Sequence, residues 1–407
     1  MTGRGPQVSG HSRRGAIATL VGGTLAGGIF AGSAGPARAD SATLSDEVFF
    51  AGLAYLADHD DVARVLPCTL QQISGDNGAG FNRMLSQLAA QAPCQVRINT
   101  DGLGKLAPGK TAYVMALAVD HEATTIEDTR DGYKLRCELW GQILVFDFKS
   151  RAIVSSLPLI VAYNDLLPSA PTDEDIAAGY RKLLFDSGPG FLQAEFVAKL
   201  AGKVMPGTST RSIRVTSATL ADLATQQVAD NHMDPTGKFA GQMASRFTGR
   251  LSANQKICVL PARASEAIGN TMAARLSNGS VYQLTIPKPD YEISLRLDGF
   301  KSKLVTDVPA GKGYVYGAFV TVAVTEPLSH TVFFNQQVRH GENRTQPATA
   351  GEIVDAPVFE DVLEVLFEQF TTAIDPLDEK WAQQNILPAN SAVAALKSLR
   401  GVIQLCR

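Results

Sequence analysis

Apolar side chains recur along this chain in runs that alternate between helical and extended spacing. Phe81, Leu85 and Leu88 fall on one face of "FNRMLSQLAAQ" (81–91), which predicts a helix, while "VFFAGLAYLA" (48–57) reads as a buried strand or a short helix. Residues 112–122, 133–148 and 152–163 follow. They are rich in β-branched and aromatic residues, are separated by charged or glycine-containing turns, and predict three strands. "PTDEDIAAGYRKLLF" then opens a helix with Thr172 at the N-cap and acidic residues in the first turn, and "SGPG" (187–190) breaks it.

The second half repeats this order. "PTGKFAGQMASRFTGRL" places Pro235 near a helix start and Phe239, Met243, Phe247 and Leu251 on one face. "KICVLPA" predicts a strand, and "SEAIGNTMAARL" a helix capped by Ser265, with Ile268, Met272 and Leu276 at four-residue spacing until Asn278 and Gly279 end it. Strands are expected over 291–300, 314–324 and 330–338, followed by a helix with Val358, Phe359, Val362, Leu363, Leu366 and Phe370 along one stripe. Setting Tyr113 on Tyr291, a shift of 178 residues, also sets Leu117 on Leu295 and Asp120 on Asp298. An internal duplication is therefore expected. The fold class is α/β of the α+β type, two related units of mainly antiparallel sheet with helices on one face. "GKVMPGTSTRS" (202–212) has linker composition, which gives a first unit over 40–203, a second over 204–375 and a C-terminal helical tail over 376–407. In that tail Val393, Leu396, Leu399 and Val402 make an apolar stripe suited to docking on another chain.

The amino-terminal stretch changes the picture from architecture to location. Arg13 and Arg14 precede a glycine-rich apolar run over 15–32, and "ARA" (37–39) precedes Asp40, the pattern of an export signal cleaved between Ala39 and Asp40. "SRRGAI" is similar to a twin-arginine signal, with the general secretory route as the alternative. Arg4, Arg13, Arg14 and Arg38 lie in the first 39 residues with no acidic residue, so removing them shifts the formal charge from −3 to about −7. An acidic chain without a basic stripe is not built for nucleic acid. Beyond the signal no apolar run reaches the length of a membrane-spanning helix. Cys68, Cys94, Cys137, Cys258 and Cys406 are few and odd in number and form no CxxC; Cys68 and Cys94 are the pair considered for a bridge.

The succession of "KICVLP", the helix "SEAIGNTMAARL" and the strand "VYQLTIP", spanning 256–287, resembles the strand–helix–strand unit of the TolB N-terminal and curli-secretion (CsgG-like) group of bacterial envelope proteins. The resemblance implies a periplasmic assembly or scaffolding role and brings no catalytic residues with it. The chain departs from the curli-secretion type in having no cysteine after the apolar run to carry a lipid.

Candidate chemistry is sparse. "GKLAPGKT" (104–111) fits the P-loop pattern, with Lys110 to reach phosphates and Thr111 to hold magnesium, but it leads into an expected strand where a P-loop opens a helix. An anion would suit the helix start at Ser265, although "ARAS" has no glycine to let the backbone approach. His121 and Glu122 are the best general-base pair, yet neighbours on a strand point to opposite faces. His330, His340 and Glu342 lack the further ligand that a metal site needs. Trp140, Phe148, Phe333 and Phe334 sit on strands as packing residues, and Cys258 as a small hydrophobe. No catalytic residue, metal ligand or cofactor is assigned. The expectation is an exported envelope component, periplasmic or outer-membrane associated, that binds other envelope proteins and forms homo-oligomers. The alternative is a periplasmic hydrolase or small-molecule binding protein with a site between the halves, near His121 or His232.

Overall fold

The computed structural model describes residues 47–56, 62–74, 78–94, 96–101, 112–129, 132–201, 211–234, 237–262, 271–276, 281–348 and 354–407. The export signal with Arg13, Arg14, Ala39 and Asp40, the 104–111 motif, Ser265 and most of the linker lie outside them. The first half runs β1 (Glu47–Tyr55), α1 (Val62–Val65), α2 (Pro67–Ile73), α3 (Ala79–Gln91), β2 (Arg97–Asn99), β3 (Tyr113–Thr129), β4 (Gly132–Asp147), β5 (Ile153–Leu167), α4 (Asp173–Phe185) and α5 (Leu192–Leu200). The second runs β6 (Ile213–Leu220), α6 (Asp222–Asp230), α7 (Phe239–Gln255), β7 (Thr271–Leu276), β8 (Val281–Thr285), β9 (Tyr291–Val308), β10 (Gly311–Glu326), β11 (Thr331–Pro347), α8 (Asp355–Ile374), α9 (Glu379–Asn385), β12 (Ile386–Leu387) and α10 (Ala389–Leu405).

The halves are two related units, and the strand registers make the relation residue-specific. The first sheet is ordered β5-β4-β3-β1-β7-β8 with β2 beside β1, the second β12-β11-β10-β9-β6. In each, a leading strand runs parallel to the first strand of an antiparallel meander: Val48 pairs with Tyr113, and Ile213 with Tyr291. In each, an aspartate sits in a bulge, Asp120 between Val119 and His121, and Asp298 between Leu297 and Gly299. A bulge adds one residue and turns the strand. Beyond it the ladders stay in step, for Ala118 faces Gln142 as Arg296 faces Thr321. Thus β3 maps on β9 by 178 residues, while β4 and β5 map on β10 and β11 by 179.

Alternation along the strands builds the cores. Leu135, Cys137 and Leu139 of β4 and Leu157, Leu159 and Val161 of β5 point to the side covered by α3, α4 and α5, where Phe81, Leu85, Tyr180, Leu183 and Phe196 complete a first core. Ile293, Leu295, Val320, Val322, Phe334 and Val338 of the second sheet meet Phe247, Leu251, Leu363, Phe367 and Phe370 from α7 and α8 in a second. The expected stripe of α8 therefore covers its own sheet. The capping box of α4 is present: Thr172 Oγ1 accepts from the Asp175 N–H, and Asp175 accepts from the Thr172 N–H at 2.8 Å.

Three expectations are corrected here. The segment expected to be helical up to Leu276 is a strand at Thr271–Leu276, paired antiparallel with β8 and with Ala54 and Tyr55 of β1. Tertiary pairing overrides a helix pattern of modest strength, and Asn278-Gly279 between the two strands is the dipeptide that favours hairpins. The hairpin closes the first sheet on itself, because Thr285 meets Ala152 in a bridge beside β5. "KICVLPA" contributes two isolated bridges in place of a strand, Val259 to Ser156 of β5 and Leu260 to Arg214 of β6, and so stitches one sheet to the other. The C-terminal stripe is the third correction. Leu396, Leu399, Val402 and Ile403 of α10 are buried in the second core, so that stripe docks on its own chain.

All five cysteines are free thiols, so the Cys68–Cys94 bridge is not formed. Burial and then the carboxylate of Glu122 push the Cys68 thiol up to about 12, which suppresses the thiolate that disulfide exchange requires. Gly179 in α4 lets that helix lie close on β4: an added Cβ would come within 2.8 Å of Cys137 Sγ and 3.2 Å of the Tyr163 ring. Gly179→Ala is expected to destabilise the chain by about 1–3 kcal/mol through overpacking in denaturant melts, and Cys137→Ala to restore part of that loss in the double variant.

Candidate functional site

The side of the first sheet turned away from α3, α4 and α5 is not open to solvent. Arg136, Glu138 and Trp140 of β4 and Pro158, Ile160 and Ala162 of β5 face α7 and α8, and together with Glu195 and Lys199 of α5 they line a cavity of about 260 Å³. A smaller cavity of about 40 Å³ continues past Trp140 to Asp120, Ser245 and Thr248. The contact is close: a Cβ on Gly249 of α7 would lie 3.6 Å from Pro158 Cβ.

Two parallel helices bring the charges. The rows at four-residue spacing, Arg246 and Arg250 on α7 and Glu360, Glu364 and Glu368 on α8, lie beside each helix's apolar stripe and meet as a zipper. Arg246 Nη2 donates to Glu360 at 2.9 Å, Arg250 Nε donates to Glu364, and Arg250 Nη1 lies 3.0 Å from Glu368. Further along, Asn254 donates to Thr371 Oγ1 at 2.9 Å and Gln255 to the Thr371 carbonyl at 2.6 Å. The Arg246 guanidinium also lies 5.1 Å over the Trp140 ring, which joins α7 to the first sheet by a cation–π contact.

The cavity sets Arg136, Lys199, Arg246 and Arg250 against Glu138, Glu195, Glu360, Asp361 and Glu364. Arg136 donates to Glu138 at 2.6 Å, and Glu138 is buried. Burial works against the charge on Arg136, but Glu138, Glu360 and Asp361 outweigh it and hold the guanidinium more firmly protonated than usual. Glu364 and Glu368 do the same for Arg250. Guanidiniums held charged in this way orient the carboxylates that face them.

The sequence candidates are dispersed. His121 stacks on Trp140 with ring centroids 5.2 Å apart and contacts Asp120 at 3.2 Å. Glu122 points to the other face, as strand geometry requires, and accepts from the Cys68 and Thr69 backbone N–H groups at 2.6 and 2.7 Å, capping α2 from across the fold. Neither His121 nor His232 lines the two cavities. His330 takes a positive φ of 56° in the turn between β10 and β11, while His340 contacts Glu342 at 3.3 Å and Glu342 also accepts from Arg344. Phe334 is buried, Phe333 packs edge-on against Tyr291, and Phe148 packs against the buried cluster that includes Ala116, Phe146 and Leu284. Among the described residues no group of three His, Cys, Asp or Glu side chains is placed to hold a metal ion, and no helix is long and apolar enough to cross a membrane. Sequence reasoning missed Arg136, Arg246, Arg250 and their carboxylates, although the four-residue charge spacing on α7 and α8 was there to find.

No family model matches the chain, and no curated protein matches it. Among solved structures, a PelC dodecamer from Paraburkholderia phytofirmans is 12% identical with a TM-score of 0.19, covering 39% of this chain and 84% of its own. A Xanthomonas campestris protein of the DUF330 family is 9% identical with a TM-score of 0.21, covering 40% and 82%. A minor lipoprotein of Acinetobacter baumannii is 8% identical with a TM-score of 0.20, covering 45% and 91%. At TM-scores this low no property of these proteins carries over to this chain.

The joint between the sheet and α7 is testable. A double-mutant cycle with Trp140→Ala and Arg246→Ala, read by chemical unfolding, is expected to give a favourable coupling of about 0.5–2 kcal/mol. Additive losses would deny the contact any energetic role.

Proposed function

We propose that this chain is an exported, non-catalytic component of a bacterial cell envelope that works by binding and assembly, with other envelope proteins as its partners. The observation that carries the reading is the pairing of charges in the cleft between the sheet and α7/α8. Each arginine there faces a carboxylate on its own or a neighbouring element, which makes a rigid, patterned surface suited to binding. The paired arginines and cleavage pattern at the amino terminus support the location, and the unit boundaries at 39, 203 and 375 belong to the same proposal.

The test is a photo-crosslinking residue placed at Glu195, on the rim of the cleft, in cells that are then fractionated. The expected result is a discrete adduct with an envelope protein in the exported fraction, on a chain whose intact mass places its first residue at Asp40. Arg13→Lys with Arg14→Lys is expected to retain the precursor if the route is twin-arginine and to leave export intact if it is general secretion. A full-length chain confined to the cytoplasm, or an exported chain without an adduct, contradicts the proposal.

A second reading, a small-molecule binding protein or hydrolase with its site between the halves, draws on the 260 Å³ cavity, which is close to the lower end of ligand pockets. A small molecule that co-purifies with the chain and is lost on Arg136→Ala would favour it.

A further inference from the structure

The leading strand of the second unit protects only part of its neighbour. β6 pairs with β9 as far as Leu220 opposite Leu297, and the Ala221 N–H closes that ladder on the Leu297 carbonyl at 2.9 Å. At Phe300 the side chain of Gln227 in α6 takes the place of a strand. Its Oε1 accepts from the Phe300 N–H at 2.7 Å, and its Nε2 donates to the Phe300 carbonyl at 2.8 Å. From Lys301 to Val308, β9 pairs with β10 on one side, and among the described residues no strand pairs with the other. Every residue of 301–308 is exposed, with Leu304, Val305 and Val308 at 43%, 53% and 49%. In the first unit the matching point, Glu122, is held by the Cys68 and Thr69 N–H groups of α2.

The bonds already made fix which backbone groups this edge offers. In an antiparallel ladder the N–H and C=O groups of successive residues turn to alternate sides. Those of Phe300 turn away from β10, toward Gln227, and by alternation those of Ser302 and Leu304 do so as well. Leu304 faces Tyr314 while Thr306 faces Gly313, so Val305 is a bulge that shifts the alternation by one and makes Asp307 the next outward residue. Val308 then turns back to Gly311, as the two-residue turn over Pro309 and Ala310 requires.

A second copy running antiparallel about a two-fold axis must set outward residues opposite one another. Ser302 opposite Leu304 brings the two Lys303 side chains face to face, and Ser302 opposite itself sets Lys301 against Lys303. Leu304 opposite Asp307 leaves a carboxylate against a leucine, and Asp307 opposite itself sets two carboxylates together. Leu304 opposite itself places Ser302 against Thr306, which is turned inward. Ser302 opposite Asp307 has none of these faults. Each such pair can exchange both backbone hydrogen bonds while the hydroxyl donates to the carboxylate, Lys303 faces Thr306, and Leu304 meets Val305 at the axis. The same register matches Lys301 with Val308, so one copy fills the other's edge from the Gln227 clasp to the turn.

We propose that the Lys301–Val308 edge of β9 is a docking surface for the same edge of a second copy, giving a two-fold dimer in which the two meanders form one continuous sheet. Such a contact is isologous and closes at two. Edge lysines and a bulge discourage the addition of an arbitrary strand, which makes the edge selective for the register that accommodates them. The dimer concerns the β9 edge alone and is independent of the cleft and its partners.

The test is sedimentation velocity over a range of concentrations on the chain as isolated from cells. One strand edge is a small interface, so a reversible dimer with a Kd on the order of 10–100 μM is expected. Ser302→Asp sets two carboxylates against each other in this register and is expected to weaken association about tenfold or more, with an unchanged circular dichroism spectrum. Adding Asp307→Asn to that variant is expected to restore the dimer. Should Ser302→Asp fail to fold, Ser302→Pro serves as the second variant, because the N–H it deletes faces away from β10. A parent that stays monomeric up to about 1 mM overturns the proposal. So does a dimer that the folded Ser302 variants leave unchanged.

Discussion

Everything in this structure is arranged around a helix buried on two sides. One face of α7, with Phe239, Met243, Phe247 and Leu251, belongs to the core of the second sheet. Its opposite face, with Ser245, Thr248 and Gly249, lies on the first sheet, where Arg246 covers Trp140. A helix that must satisfy two sheets has little freedom in composition: large apolar residues on one side, small residues for close approach on the other, and charge only where a partner of opposite sign waits. The sequence "FAGQMASRFTGRLSANQ" meets those conditions position by position.

The same constraint explains the cleft. Because α7 and α8 run parallel and in step, their arginine and glutamate rows meet along two turns, and their ends are fastened by Asn254, Gln255 and Thr371. Pairs of this kind, partly screened by solvent, set register and orientation more than they add stability. Two further devices bind the halves into one body. The hairpin β7–β8 is drawn from the second half of the chain into the first sheet, and Val259 and Leu260 bridge one sheet to the other. The two halves share one strand plan, and these crossings join them.

Much of this was legible in the sequence because strong local patterns and tertiary structure agree. The six meander strands, the Thr172 cap and the apolar stripes of α7 and α8 all fall where periodicity and capping put them. The duplication was readable from Tyr113, Leu117 and Asp120 against Tyr291, Leu295 and Asp298, and the structure explains those identities: strand start, core position and bulge. What was misread follows one rule. Thr271–Leu276 has spacing compatible with a helix, and only its partners on β1 and β8 make it a strand. The stripe on α10 is real, but a stripe does not say whether its cover comes from the same chain. The cleft was the least legible part, since Arg136 and Arg246 stand 110 residues apart and meet only through sheet topology.

The claim that α7 welds two related units into one cooperative body is tested most directly by differential scanning calorimetry of the intact chain. The account predicts a single transition whose calorimetric and van't Hoff enthalpies agree, with Arg246→Ala and Arg250→Ala together splitting or broadening it. Two separate transitions in the unmodified chain would contradict it, because the units would then be unfolding independently across the α7 joint.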